Sequence, residues 1–151
     1  MSDNKEFLEY LKKETRKLVV IKEGDFGISK TDLVNWGKEV GIDLKGETRL
    51  MITKELLGRG FEYLDFYNRY KYKAYGINTS IICRRFRINN NQLRKMIDDG
   101  FLKVEYYKND RMNNGKVIRK IFINAENYFD LTIDKIECWK SLNINMYKIR
   151  R

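Results

Sequence analysis

The sequence predicts an α+β fold, mostly helical, on three patterns. Apolar residues recur at helical spacing along most of the chain, as in Phe7, Leu8, Leu11 and Leu18, or Leu33, Val34, Trp36 and Val40. The stretch 101–123 departs from that spacing, with two runs rich in β-branched and aromatic residues around a polar, glycine-containing turn. Glycine and polar clusters cut the 151 residues into short elements, and there is no proline. That length suits one domain with a real core or two small modules.

Taken in order, residues 4–18 form an amphipathic helix with Glu and Lys opposite its apolar stripe. Leu18-Val19-Val20-Ile21 fits either a short strand or the buried end of that helix. The run Glu23-Gly24-Asp25-Phe26-Gly27 reads as a turn. Ser29 then caps a helix over 30–40, with Asp32 where its carboxylate favours the helix dipole, and Gly41 ends it. A second helix over 48–57 presents Leu50, Ile52, Leu56 and Leu57 and closes at Gly58-Arg59-Gly60. Residues 1–60 read as an N-terminal helical module. The stretch 61–75 holds seven aromatics with Arg69, Lys71 and Lys73 between them. Helical spacing of Phe66 with Tyr70, and of Tyr63 with Tyr67, favours a core helix over a base-stacking groove.

From 76 onward the signals are closely ordered. Asn78 caps a helix over 79–87 that carries Ile81, Ile82 and Phe86. Ile88-Asn89 turns, Asn89 or Asn90 caps a second helix over 91–99, and Gly100 supplies a left-handed stop. A strand over 101–107, a loop over 109–115 and a returning strand over 117–123 follow. The helix 125–142 sets Phe129, Ile133, Ile136 and Trp139 on one face, and 143–151 reads as a basic tail or edge strand.

Charge is uneven. The chain has 31 Lys+Arg against 21 Asp+Glu, a net +10. Between Thr79 and Lys120 stand eleven basic and four acidic residues, whereas residues 1–24 hold six and five. Excess Lys, Asn, Ile and Tyr follows from AT-rich coding, but such bias does not concentrate charge on one segment. A clustered excess points to a polyanionic partner. Two cysteines 55 positions apart form no disulfide framework, and no apolar run reaches the roughly 18 residues of a membrane span. A cytoplasmic protein without membrane contact is expected. With no histidine, Ser-His and Cys-His nucleophiles and His-ligated zinc are excluded, and no GxxxxGK[ST] or GxGxxG is present. No catalytic residue, metal or cofactor is expected. Asp43-Leu44-Lys45, with Asp32 or Asp25 upstream, leaves a magnesium-nuclease alternative.

The order helix, turn, helix, strand, polar loop, strand over 76–123 resembles a winged helix-turn-helix, with 61–75 as its first helix and 61–123 as the module. The resemblance implies double-stranded DNA as partner, with helix 91–99 in the major groove. Leu93, Met96 and Ile97 would face inward. Asn90, Asn91, Gln92, Arg94 and Lys95 would then meet base edges, amides suiting adenine and Arg suiting guanine. Phosphates would fall to Arg84, Arg85 and Arg87 on the preceding helix, and to Lys108, Arg111, Asn113 and Lys116 on the wing, with Asn114 beside them. A helix after the wing often makes the dimer contact in this family, which implies a homodimer through 125–142. Ser29, Leu33, Gly41-Ile42, Lys45-Gly46-Glu47, Leu50 and Leu56 resemble SAP-type helix–extension–helix modules. Alternatively Gly27-Ile28-Ser29 parallels Gly76-Ile77-Asn78, a tandem pattern similar to plasmid replication initiators. Sequence-specific DNA binding in transcription or in mobile-element replication and maintenance is the expectation. The rival is a small phage-type protein that binds a host protein through the same fold.

Overall fold

A computed structural model describes residues 5–20 and 28–149, and side chains through Asn143. It is α+β, with eight helices and one small antiparallel sheet among the described residues. Helices α1 (Lys5–Val20), α2 (Lys30–Glu39), α3 (Arg49–Gly58) and α4 (Tyr63–Tyr70) come first. A two-residue strand β1 (Ile77–Asn78) precedes α5 (Thr79–Phe86) and α6 (Asn90–Asp98). Strands β2 (Val104–Arg111) and β3 (Val117–Ile123) form a hairpin, and α7 (Ala125–Asp130) and α8 (Ile133–Ile149) complete the chain. No described helix is long and apolar enough to cross a membrane.

Local chemistry sets the ends of these elements. Ser29 and Asp32 exchange hydrogen bonds in a capping box on α2, and Thr48 caps α3. Leu18-Val19-Val20 is the end of α1, not a strand, because Leu18 and Val19 are buried on its inner stripe. The turn expected over 23–27 and Asp25 within it lie outside the described residues. Arg49 ties α1 to α3, donating to the carbonyls of Leu18 at 2.9 Å and Ile28 at 3.2 Å. Leu50 and Val40, expected inside, are exposed, while Ile52, Leu56, Leu33 and Trp36 fill the core.

One continuous core joins the N-terminal helices to the later ones. Phe7 meets Tyr67 edge-on at 5.3 Å and Phe129 at 5.7 Å, and Trp36 meets Phe66 at 4.7 Å. Tyr75 closes this layer: its hydroxyl shares a 2.7 Å hydrogen bond with Thr15, and its carbonyl accepts from Tyr10 at 2.6 Å. Burial raises the Tyr10 and Tyr75 hydroxyls far above their ordinary range. Of the residues 61–75, only 63–70 are helical; 71–76 turn back toward the sheet.

The sheet runs β1-β3-β2. Ile77 pairs with Ile123 and Asn78 with Phe122, a strand partner that two residues cannot announce in sequence. Gly76 leads into β1 where a Cβ would stand 2.6 Å from the Phe122 Cβ and 2.8 Å from the Tyr106 ring. The C-terminal segment corrects the sequence reading twice. Helix 125–142 is two helices: Leu131 is extended, and Thr132 restarts α8 by accepting the Lys135 N–H at 3.1 Å. Residues 143–149, read as a basic tail or an edge strand, are helical. With no proline or glycine beyond Leu142, α8 continues, and buried Asn143 donates its amide to the Trp139 carbonyl at 2.8 Å.

Candidate nucleic-acid interface

Helices α5 and α6 meet at a short turn. Asn78 caps α5, Arg87 takes a left-handed conformation at its end (φ 52°), and buried Ile88 anchors the connection. Asn89 caps α6: its side chain accepts the Gln92 N–H at 2.8 Å, and Gln92 Oε1 accepts the Asn89 N–H at 2.9 Å. The helix therefore starts at Asn90, one residue before the sequence reading. Leu93 and Met96 are buried and Ile97 half-buried, which orients the rest outward.

The five residues expected at base edges are treated unequally. Asn90, Asn91 and Arg94 are exposed on α6, the asparagines in its first turn. Gln92 spends its carbonyl on the cap, leaving its amide N–H groups. Lys95 is half-buried and paired with Asp99 at 3.0 Å. That bond lowers the Asp99 carboxyl below its ordinary range, with burial opposing and the Trp139 indole N–H (3.1 Å) assisting.

On α5, Arg84, Arg85 and Arg87 are all exposed. The Arg85 guanidinium lies over Phe86 at 4.8 Å and Tyr128 at 5.0 Å, which fixes it against the body. Cys83 beside them is half-buried, and burial raises its thiol.

The hairpin is longer and its loop shorter than sequence suggests. β2 extends to Arg111, which pairs with Val117. The loop is Asn113-Asn114-Gly115: Met112 donates to the Lys116 carbonyl at 2.7 Å, and Gly115 sits at φ +84°. Asn113 and Lys116 are exposed, and Asn114 accepts the Lys116 N–H at 2.9 Å. Strand alternation then decides which side chains act together. The register groups Tyr107, Asn109, Arg111, Val117, Arg119 and Ile121 on one face, continuous with buried Ile123. Tyr106, Lys108, Asp110, Ile118, Lys120 and Phe122 take the other. Lys108 and Arg111, grouped by sequence as one contact, point to opposite sides. Lys108 lies 5.6 Å from the Tyr106 ring, and Lys120 pairs with Asp110 at 2.9 Å.

Sequence reasoning missed Arg119 and Tyr107. The Arg119 guanidinium carbon stands 3.7 Å from the Tyr107 ring centre, a close stack that holds an exposed cation beside Arg111. Taking 109–115 as loop lost the register; a three-residue loop would have put Arg119 across from Asn109.

No family model, curated protein or solved structure matches the chain.

Among the described residues, Arg84, Arg87, Arg94, Arg111 and Lys116 make no ion pair; nearby Asp99 and Asp110 are each held by a lysine, while Asp98 on α6 is exposed. Glu105 accepts the Asn124 amide at 3.0 Å. The exposed charge of this region is thus dominated by arginine. Of the residues in the nuclease alternative, Asp43 accepts the Lys45 N–H at 3.1 Å, Asp32 caps α2 while pairing with Lys73, and Asp25 lies outside the described residues.

Proposed function

We propose that the protein binds double-stranded DNA through a winged helix-turn-helix formed by α4, β1, α5, α6 and the β2–β3 hairpin. Helix α6 enters the major groove, with Asn90, Asn91 and Arg94 at base edges and Gln92 contributing its free amide. Arg84, Arg87, Arg111, Lys116 and Arg119 meet phosphates. The observation that carries this reading is the set of unpaired, exposed cations on α5, α6 and the hairpin, which outnumber the exposed acids beside them. The element order and the sheet order β1-β3-β2 support the same reading. A transcriptional or mobile-element replication role accords with it, as does a dimer through α8, where Ile133 and Leu142 remain exposed.

Fluorescence anisotropy of a labelled random duplex, titrated at several salt concentrations, tests it. With about six phosphates neutralised, affinity falls by roughly three decades between 50 and 200 mM salt. A flat salt response, or no binding at low salt, gives the surface to a protein partner instead.

A further inference from the structure

The hairpin tip carries apolar residues that are about half exposed to solvent. From Arg111 to Arg119 every residue is exposed. Met112 is 46% exposed, Val117 55% and Ile118 42%. Strand propensity accounts for the branched side chains at 117 and 118. It asks nothing of Met112, which opens the turn and is held there by backbone bonds to Lys116 and Gly115. Alternation sets Met112 and Ile118 on one face, diagonal to each other. Lys116, across from Met112, shares its face, Arg111 and Arg119 stand on the opposite face of the hairpin, and Asp110, paired in register with Ile118, is occupied by Lys120.

An apolar point with cations on both faces behind it complements a narrow, strongly negative cleft whose floor can part to expose apolar base faces. The minor groove of duplex DNA has that chemistry: phosphates line both walls, and a base step forms the floor. Side chains such as Met and Ile unstack a step when driven into it, and the duplex kinks away. We propose that the hairpin tip is a wedge: Met112, backed by Ile118, enters the minor groove and opens a base step, bending the DNA. Arg111, Lys116 and Arg119 hold the flanking phosphates. This rests on the DNA-binding reading above and adds a deformation to it.

Two readouts on the full chain test the wedge: end-to-end energy transfer in a doubly labelled duplex, and the affinity for an intact duplex against one with a central two-base bulge. Binding raises energy transfer, and the bulged duplex, already unstacked, binds at least about fivefold tighter. Met112→Ser, at an exposed position whose backbone bonds are retained, abolishes both effects. Ile118→Thr, which keeps the β-branch, weakens both. Binding without added energy transfer or bulge preference, or a Met112→Ser protein that keeps them, overturns the wedge and leaves the DNA reading standing. Failure to bind either duplex at low salt overturns both. Self-association in sedimentation that Met112→Ser removes would assign the tip to a second copy of the chain and overturn the wedge.

Discussion

The indole N–H of Trp139 on α8 donates to Asp99 at 3.1 Å, joining the last helix to the C-terminal cap of α6. A carboxylate at a helix C-terminus opposes the helix dipole. Lys95, one turn earlier, offsets this from the other carboxylate oxygen at 3.0 Å. The helix proposed for the major groove is therefore clamped at its far end, and its first turn is left for contact.

This clamp and the Asp32–Lys73 pair make stability depend on acid. Asp99 is held low chiefly by Lys95; at Asp32 burial acts upward, but bonds from Lys73 and Ser29 outweigh it. Both folded-state values lie below the unfolded ones, so their contribution is present above about pH 4 and is lost as pH falls through the folded values. Urea midpoints should be level from neutral pH down to about pH 5 and then drop. Lys95→Ala should shallow that drop. A midpoint constant from pH 7 to 3 would contradict the assignment.

Thr15 and Tyr75 offer a cleaner energetic test because both are buried. Tyr75→Phe strands the Thr15 hydroxyl, and Thr15→Val strands the Tyr75 hydroxyl; each should cost about 1–3 kcal/mol. The double variant leaves no orphan, so its loss should fall well short of the sum. Additive losses in denaturant titrations would mean that the two hydroxyls do not depend on each other.

Gly76 has no room for a methyl group between Phe122 and Tyr106, whose rings stack at 4.9 Å. It also donates its N–H to the Tyr106 hydroxyl at 2.9 Å, and burial raises that hydroxyl to about 12. Gly76→Ala should force β1 off β3 and cost about 1–3 kcal/mol. Thermal unfolding reads this directly, and an unchanged midpoint would show that the rings yield.

Much of this architecture was legible in the chain. Asn78, Asn89, Ser29 and Gly100 set helix ends by local side-chain chemistry, and Leu93 with Met96 fixed the inner face of α6. What stayed hidden depends on partners far along the chain. β1 exists because Ile77 finds Ile123. Lys95 is drawn from the contact set by Asp99, itself held by Trp139 forty residues on. The break at Leu131 carries no glycine or proline, and the hairpin register hinged on whether Asn109 and Arg111 belonged to strand or loop.

The pairing of Arg119 with Tyr107 separates charge from preorganisation at the proposed interface. Arg119→Ala and Arg94→Ala each remove one phosphate or base contact in this reading. Arg119→Ala should reduce the log–log salt slope by about 0.9, the value for one released phosphate counterion. Tyr107→Leu keeps the cation but removes the ring that fixes it 3.7 Å away. Its affinity should fall through lost ordering, by about 0.5–1 kcal/mol for an exposed cation–π stack, with the slope unchanged. Should both variants change the slope alike, the ring would be acting on DNA itself. Should neither change affinity, the odd-numbered face of the hairpin would not meet the duplex.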